Sequence, residues 1–518
     1  MNDTANKVTA VAPATLPGAG GEPSAHPDAE ARLDRRIFHG IRWSFLVSAF
    51  TLPFGYLISI VLARVSPEAV GIYSVLGIYL GIVSTILYFG GGTVSVRFMA
   101  ELPGEKRLPF FFSYYALTLV VTGCVLVLFS AFPGLLRLLL GTSVDPDFFR
   151  LLMLSAPVSL FFFAVLAALR GMMSVAIAQA LVRSLTLGAC LFYGYLLLFH
   201  RSFFQRQYAG VIVISYLVLM LVVDVVGFRR FWNSVPHGSG RPSWFLPAGF
   251  WSFALAVQIP SALALLHQKM DEMFVLRVLG LSQLGIYFVL SQLSGSAELL
   301  INFLVDGVFP ALFNFQAAGR LDKTEELHRR VARYILAISA TTIFFLIAFA
   351  SPLLHFLGPR YASSHSVFLL LLLFATLDCL GPLNHTYIVG MKKLNSWSVV
   401  QTMRLVGFVI LFTLLAGRYG LLGVVLARGF AWMLAGALAY WIVLKRLALR
   451  ISIPRQYFLY VAISSALVAL CYGMRDSVSG WGWSTLLFVV ATASFLLLGG
   501  YRPAELHELI DLRRGEKN

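Results

Sequence analysis

The stretch Lys269 to Tyr287, KMDEMFVLRVLGLSQLGIY, restates an earlier one, Val61 to Tyr73, VLARVSPEAVGIY. In each, an apolar run reaches an arginine, Arg64 or Arg277, a short polar turn follows, and the chain resumes with Gly71-Ile72-Tyr73 or Gly285-Ile286-Tyr287. The offset between the glycines exceeds that between the arginines by one, so a single inserted residue brings the copies into register. A period this long is foreign to solenoid repeats. It fits a duplicated half of a membrane transporter.

Composition agrees. With 518 residues, 58% of them hydrophobic and 12% charged, and a mean hydropathy of +0.81, the chain carries more apolar surface than a soluble domain can bury. Its net charge of +16 sits largely in short loops between apolar runs, which reads as membrane topology and not as nucleic-acid binding. Cys124, Cys190, Cys379 and Cys471 each lie inside an apolar run, with no CxxC and no clustered histidines. Neither a disulfide framework nor a metal site is indicated, and no cofactor is expected.

Apolar runs of about 20 residues match a bilayer core of roughly 30 Å, and they predict an all-α polytopic membrane protein with about fourteen transmembrane helices. A disordered cytoplasmic tail is expected over residues 1–38, since the segment is rich in Ala, Pro, Gly and Asp and lacks the apolar core of a signal peptide. A six-helix bundle follows over 39–228, then a basic linker, 229–247, and a second six-helix bundle, 248–446. Two further helices occupy 447–500 and a cytoplasmic tail 501–518. Lys and Arg alternate between loops as the positive-inside rule requires, the richest predicted inner loop holding Arg320, Lys323, Arg329, Arg330 and Arg333. Both termini are therefore predicted to be cytoplasmic.

The duplication extends along the chain. Arg170-Gly171-Met172 before span five parallels Val389-Gly390-Met391 before span eleven, and each following span carries one arginine, Arg183 or Arg404. Arg206, Tyr208 and Gly210 open span six, as Arg418, Tyr419 and Gly420 open span twelve. Six spans separate the copies, an even number, so the halves share one orientation and are related by an axis along the membrane normal.

These residues also carry a family resemblance. Leu62-Ala63-Arg64, Pro67-Glu68, Gly71-Ile72-Tyr73, Gly90-Gly91-Gly92 and Val96 to Glu101 resemble the opening of bacterial polysaccharide-biosynthesis flippases, within the multidrug, oligosaccharidyl-lipid and polysaccharide exporters. Phe356 to Ala362 and Arg418 to Gly423 resemble later stretches of that family. The resemblance implies alternating access: a cavity between the bundles receives the phosphate and sugars of an undecaprenyl-linked oligosaccharide from the inner leaflet and reopens outward, while the lipid tail stays among membrane lipids. It further implies a bacterial inner-membrane transporter, not an enzyme, with a coupling proton or sodium ion and polysaccharide-assembly proteins as partners.

Ionisable groups inside spans cost at least about 2.5 to 3.5 kcal/mol on insertion scales, so each invites a functional reading. Arg183, Arg404 and Arg428 are candidate phosphate ligands, since a diphosphate withdrawn from water needs guanidinium or ammonium donors. Against that stands a purely structural ion pair of Arg183 or Arg404 with Asp224 or Asp378. Arg42 and Arg97 lie where the resembling family has basic residues at a cytoplasmic entrance, and equally where side chains snorkel to headgroups. Lys269, Asp271 and Glu272, placed at the outer end of span seven, read as an outer gate or an exposed charge cluster. Glu298, Asn302 and Asp306 recur every four residues on one face of span eight, where a carboxylate can bind a coupling ion or pair with a neighbouring arginine. Asp224 is a further coupling candidate.

Three other functions compete. A lipid II flippase suits the two extra helices. A cation-coupled multidrug exporter commonly uses an acid in the first span, and Trp43 to Ala63 contains none. A membrane glycosyltransferase or polymerase needs a large outer loop, and no predicted outer loop exceeds about 20 residues.

Overall fold

The computed structural model describes residues 53–132, 148, 152–172, 174–236, 244–302, 305, 321–390, 394–446, 453–474 and 480–501. In chain order the helices are α1 (Pro53–Val65), α2 (Pro67–Ile82), α3 (Gly91–Glu101), α4 (Gly104–Ala131), α5 (Ala156–Gly171), α6 (Val175–Phe199) and α7 (Arg201–Ser234). There follow α8 (Phe250–Leu279), α9 (Leu281–Ser294), α10 (Ser296–Asn302), α11 (Leu321–Ala348), α12 (Ala350–Leu357) and α13 (Pro359–Ala362). The last are α14 (His365–Leu377), α15 (Gly381–Gly390), α16 (Leu394–Arg446), α17 (Arg455–Gly473) and α18 (Trp481–Leu498). Arg42, Asp306, the 1–38 tail and residues 502–518 of the other tail lie outside the described residues.

The chain is a multi-pass membrane protein, and its described residues are almost entirely helical. Nine helices among the described residues are long and apolar enough to cross a bilayer, and two bent pairs, α9 with α10 (43°) and α14 with α15 (41°), qualify as broken spans. α1 and α5 are shorter apolar helices. At 53 residues α16 would be about 80 Å long if straight. It turns instead at Gly420, φ +56°, and doubles back so tightly that a methyl group on Gly423 would strike the Leu415 backbone. Counting its two arms separately, with the bent pairs and the two shorter helices, matches the fourteen expected.

Local chemistry sets these boundaries. Ser66 caps α2, its Oγ accepting the Ala69 N–H at 3.1 Å, with Pro67 in the first turn and Glu68 at the positive end of the helix dipole. Gly280, the position that matches Ser66 in the second copy, turns the chain from α8 into α9 at φ +87°. A π-helical turn at Val83–Leu87 extends α2, and Gly90, φ +80°, then breaks the span before α3. The backbone groups freed by that break are satisfied from two sides: Gly90 N–H donates to Gln258 Oε1 at 2.5 Å, and the Phe89 carbonyl accepts from Tyr114 Oη.

The duplicated stretches meet each other. A methyl group on Gly285 would collide with the Pro67 carbonyl, and one on Gly71 with the Leu281 carbonyl. Pro67 and Leu281 are separated by the same offset as Gly71 and Gly285, so the contact is reciprocal under the repeat, as a two-fold relation requires. The echo GIY…GIY is thus a steric requirement where α2 crosses α9. The matched junctions correspond as well, α5 ending at Gly171 and α15 at Gly390, with kinks at Gln207 and Gly420.

Two expectations change. α8 runs unbroken to Leu279, past the Leu266 at which hydropathy ends the span, because Asp271 and Glu272 find partners on other helices and Lys269 pairs with Glu272 within α8. α7 continues to Ser234, so Arg229 and Arg230, expected in the linker, lie on a helix.

Candidate functional site

Around α8 the ionisable side chains form two linked groups. Arg428 Nη1, from the second arm of α16, donates to Asp271 Oδ2 at 2.7 Å, Tyr287 Oη at 2.7 Å and Ser291 Oγ at 3.3 Å. Tyr287 Oη in turn donates to Asp271 Oδ2 at 2.6 Å. Tyr287 and Ser291 stand one turn apart on α9 and so present both hydroxyls to one guanidinium. This pair is well buried, with side-chain exposures of 16% for Arg428 and 12% for Asp271. Beside it Lys269 Nζ donates to Glu272 Oε1 at 2.7 Å, while Ser74 Oγ of α2 donates to Glu272 Oε2 at 2.7 Å. Lys269, Asp271 and Glu272 are therefore a half-buried to buried network, not the exposed charge cluster that one sequence reading allowed.

Arg404 differs. It is 8% exposed, makes no ion pair within 4.0 Å among the described residues, and its Nε has no hydrogen-bond partner among them. Its guanidinium carbon lies 3.8 Å from the centroid of the Trp432 ring, and that of Arg428 lies 4.0 Å from the same ring. The hairpin in α16 sets Arg404 on one arm against Trp432 on the other. One indole thus holds two guanidiniums together, an arrangement that offsets part of their mutual repulsion. Asp378 and Glu298 act on Arg404 electrostatically without an ion-pair contact.

Those two carboxylates line a cavity of about 40 Å³ with Gly295, Arg428 and Trp432. Both come from broken spans, Glu298 just beyond the α9–α10 bend and Asp378 at the α14–α15 bend. A space of this size admits water or a bare ion and excludes a sugar.

At the end where α1 meets α2, Arg360 Nη1 of α13 reaches Glu68 Oε1 of α2 at 2.9 Å, joining the second half to the first. Ser59 Oγ donates to Gln292 Oε1 at 2.5 Å, another link between halves.

The remaining candidates stay apart from this cluster. Arg97 is exposed, pairs with Glu101 at 2.8 Å and stacks over Phe253 at 4.1 Å. Arg183 is half-buried on α6 in the first half. Asp224, on α7, is 3% exposed with neither carboxylate oxygen hydrogen-bonded among the described residues, so the alternative that paired it with Arg183 is not realised. The sequence reading missed Trp432, the Tyr287 hydroxyl and the Glu68–Arg360 pair. The one available signal was the four-residue spacing of Arg428 and Trp432, which sets both on one helix face.

No family model matches the chain, and no curated protein matches it in sequence. Solved structures do. The lipid II flippase MurJ, in an inward closed conformation, superimposes with a TM-score of 0.64 at 14% identity, over 87% of this chain and 97% of that one. An inward-facing multidrug resistance transporter of the MATE family scores 0.63 at 14% identity, over 77% of this chain and 94% of that one. A MOP-superfamily transporter from Pyrococcus furiosus scores 0.52 at 14% identity, over 80% and 96%. The chain has the fold of the MOP-superfamily transporters.

Proposed function

We propose that this chain is a flippase carrying an undecaprenyl-(pyro)phosphate-linked oligosaccharide from the inner to the outer leaflet of a bacterial cytoplasmic membrane, for surface or exopolysaccharide synthesis. The observation that carries this reading is Arg404. A guanidinium withdrawn from water with no carboxylate in contact calls for an anion, and a phosphate meets that demand with short charge-assisted hydrogen bonds. Arg428 serves differently, being engaged by Asp271, and holds α8, α9 and α16 together.

The tightest backbone contacts between the halves, Gly71 on Leu281 and Gly285 on Pro67, lie with Arg360–Glu68 and Ser74–Glu272 at the end that the basic loops predict to be the outer one, while toward the other end Gly90 bonds Gln258 and Arg97 stacks on Phe253. On this reading, release of cargo outward requires the outer-end contacts to part. Asp378 and Glu298, at two helix breaks around a cavity of ion size, fit a coupling proton or sodium ion. The glycan is then delivered to polysaccharide-assembly proteins beyond the membrane.

A lipid II flippase is the second reading, favoured by the likeness to MurJ over 87% of the chain. Cells depleted of the protein separate the two. Glycan-loaded carrier should accumulate where an outer-face glycan probe cannot reach it, and the extracted glycan identifies the cargo. Arg404→Ala protein, made at normal levels, should reproduce that defect. Full transport by Arg404→Ala would remove Arg404 as the phosphate ligand, and unchanged carrier sidedness on depletion would remove the flippase reading.

A further inference from the structure

Asp378 borders a second cavity. This one measures about 280 Å³ and is walled by His328 of α11, Asn384 of α15, Tyr440 of α16 and Tyr457 of α17. Asp378 is thus the partition between two spaces, the ion-sized one shared with Glu298 and Arg428 and this larger one, on whose side Gly381 and Gly436 flank its carboxylate.

Three features show how the partition is built. α14 stops at Leu377 and α15 starts at Gly381, so the last carbonyls of α14 lack helical partners and present the negative end of its dipole. One of them, the Leu377 carbonyl, accepts Tyr457 Oη at 2.8 Å, which ties the break to α17, a helix outside the duplication. The flanks of the carboxylate are bare: a methyl group on Gly436 would lie 3.1 Å from Asp378 Oδ1, and one on Gly381 closer still.

The larger cavity is also polar where it matters. His328 is 3% exposed, its Nε2 lies 3.4 Å from Asn384 Oδ1, and its Nδ1 has no hydrogen-bond partner among the described residues. Buried polar atoms in a space roomy enough for several waters are satisfied by water, at about 30 Å³ for each. The cavity sits where α11 starts and α16 ends, next to Arg329, Arg330 and Lys445, at the end that the basic loops predict to be cytoplasmic.

We infer that this cavity between α11, α15, α16 and α17 is a hydrated access route through which a small monovalent cation reaches Asp378 from the cytoplasmic end. It rests on the reading of Asp378 as the coupling carboxylate and adds the path and the side from which it is loaded. An ion leaving water needs oxygen ligands along its way, and the Asp378 carboxylate with the frayed carbonyls of α14 supplies them.

The test starts from protein in which Cys124, Cys190, Cys379 and Cys471 are replaced by serine and transport is retained. Ala437→Cys, a small change at an exposed wall position of the cavity, is treated in oriented vesicles with a membrane-impermeant cationic methanethiosulfonate, applied to one face at a time. Labelling at least 10-fold faster from the cytoplasmic face is expected. Labelling from neither face, or equally from both, overturns the route. Ala437→Trp, which fills the cavity, should abolish stimulation of transport by a sodium or proton gradient while leaving binding of the lipid-linked cargo unchanged. Retained stimulation overturns the proposal. Asp378→Asn, combined with Ala437→Cys, separates the two layers: the introduced thiol should keep its one-sided labelling while stimulation is lost. If both are kept, the path stands and the coupling assignment of Asp378 falls.

Discussion

Two arginines share one tryptophan, yet their chemistry diverges, and substitution should separate them. Arg428→Ala leaves Asp271 buried without its cation, a change that costs on the order of 3 kcal/mol. We expect a lower unfolding temperature in detergent, recovered largely by removing Asp271 in the same chain. Arg404→Ala relieves an unmatched buried charge, so it should leave the unfolding temperature unchanged or raise it while abolishing transport. A fall in stability matching that of Arg428→Ala would make Arg404 a structural residue. The distinction was half legible in the sequence. Arg404 and Arg428 stood out because charge is rare in an apolar span, but hydropathy assigns the same cost to each and says nothing of partners. Pairing depends on which faces of α8, α9 and the two arms of α16 turn together. For the same reason Trp432 passed unnoticed, since an aromatic in a membrane helix is unremarkable until two guanidiniums are found on it.

Helix crossings were better encoded. The GIY echo identifies where α2 and α9 approach, because only a residue without a side chain lets two backbones come this close. Gly285→Ala places a methyl group against the Pro67 carbonyl and should push the helices apart, lowering transport at least 10-fold and lengthening spin-label distances between α2 and α9. Unchanged distances would mean that the crossing relaxes without opening. Gly90→Ala tests a different device. Its positive φ costs a non-glycine residue about 1–2 kcal/mol, so it should destabilise the α2–α3 break by that much in denaturant or thermal unfolding. What the sequence hid at this scale was helix extent. The Lys269–Glu272 segment reads as a terminus by composition, yet it is interior to α8, its charges answered by Ser74, Tyr287 and Arg428.

Across the whole molecule, the two halves are joined by contacts of unequal strength. The Arg360–Glu68 pair is exposed, with side chains 64% and 30% accessible, so it contributes less than about 1 kcal/mol. A transporter poised between two forms responds even to that, because about 1 kcal/mol shifts a balanced equilibrium roughly five-fold. Glu68→Gln should therefore raise labelling of a cysteine placed behind the pair by a few-fold, and an Arg360→Glu, Glu68→Arg exchange should restore it. The two-bundle plan was legible because the duplication repeats a series of short patterns in the same order along the chain, with only small shifts in spacing. The latch was not, since Glu68 and Arg360 are 292 residues apart and unrelated by the repeat.

The glycine crossing has one more consequence, for ionic strength. Contact of backbone on backbone carries no net charge, so added electrolyte leaves it intact, while the Debye length falls to about 3 Å at 1 M salt and the neighbouring carboxylate and guanidinium lose their attraction. Salt should loosen this end of the bundle only to a plateau, set by the steric contact that no counterion reaches.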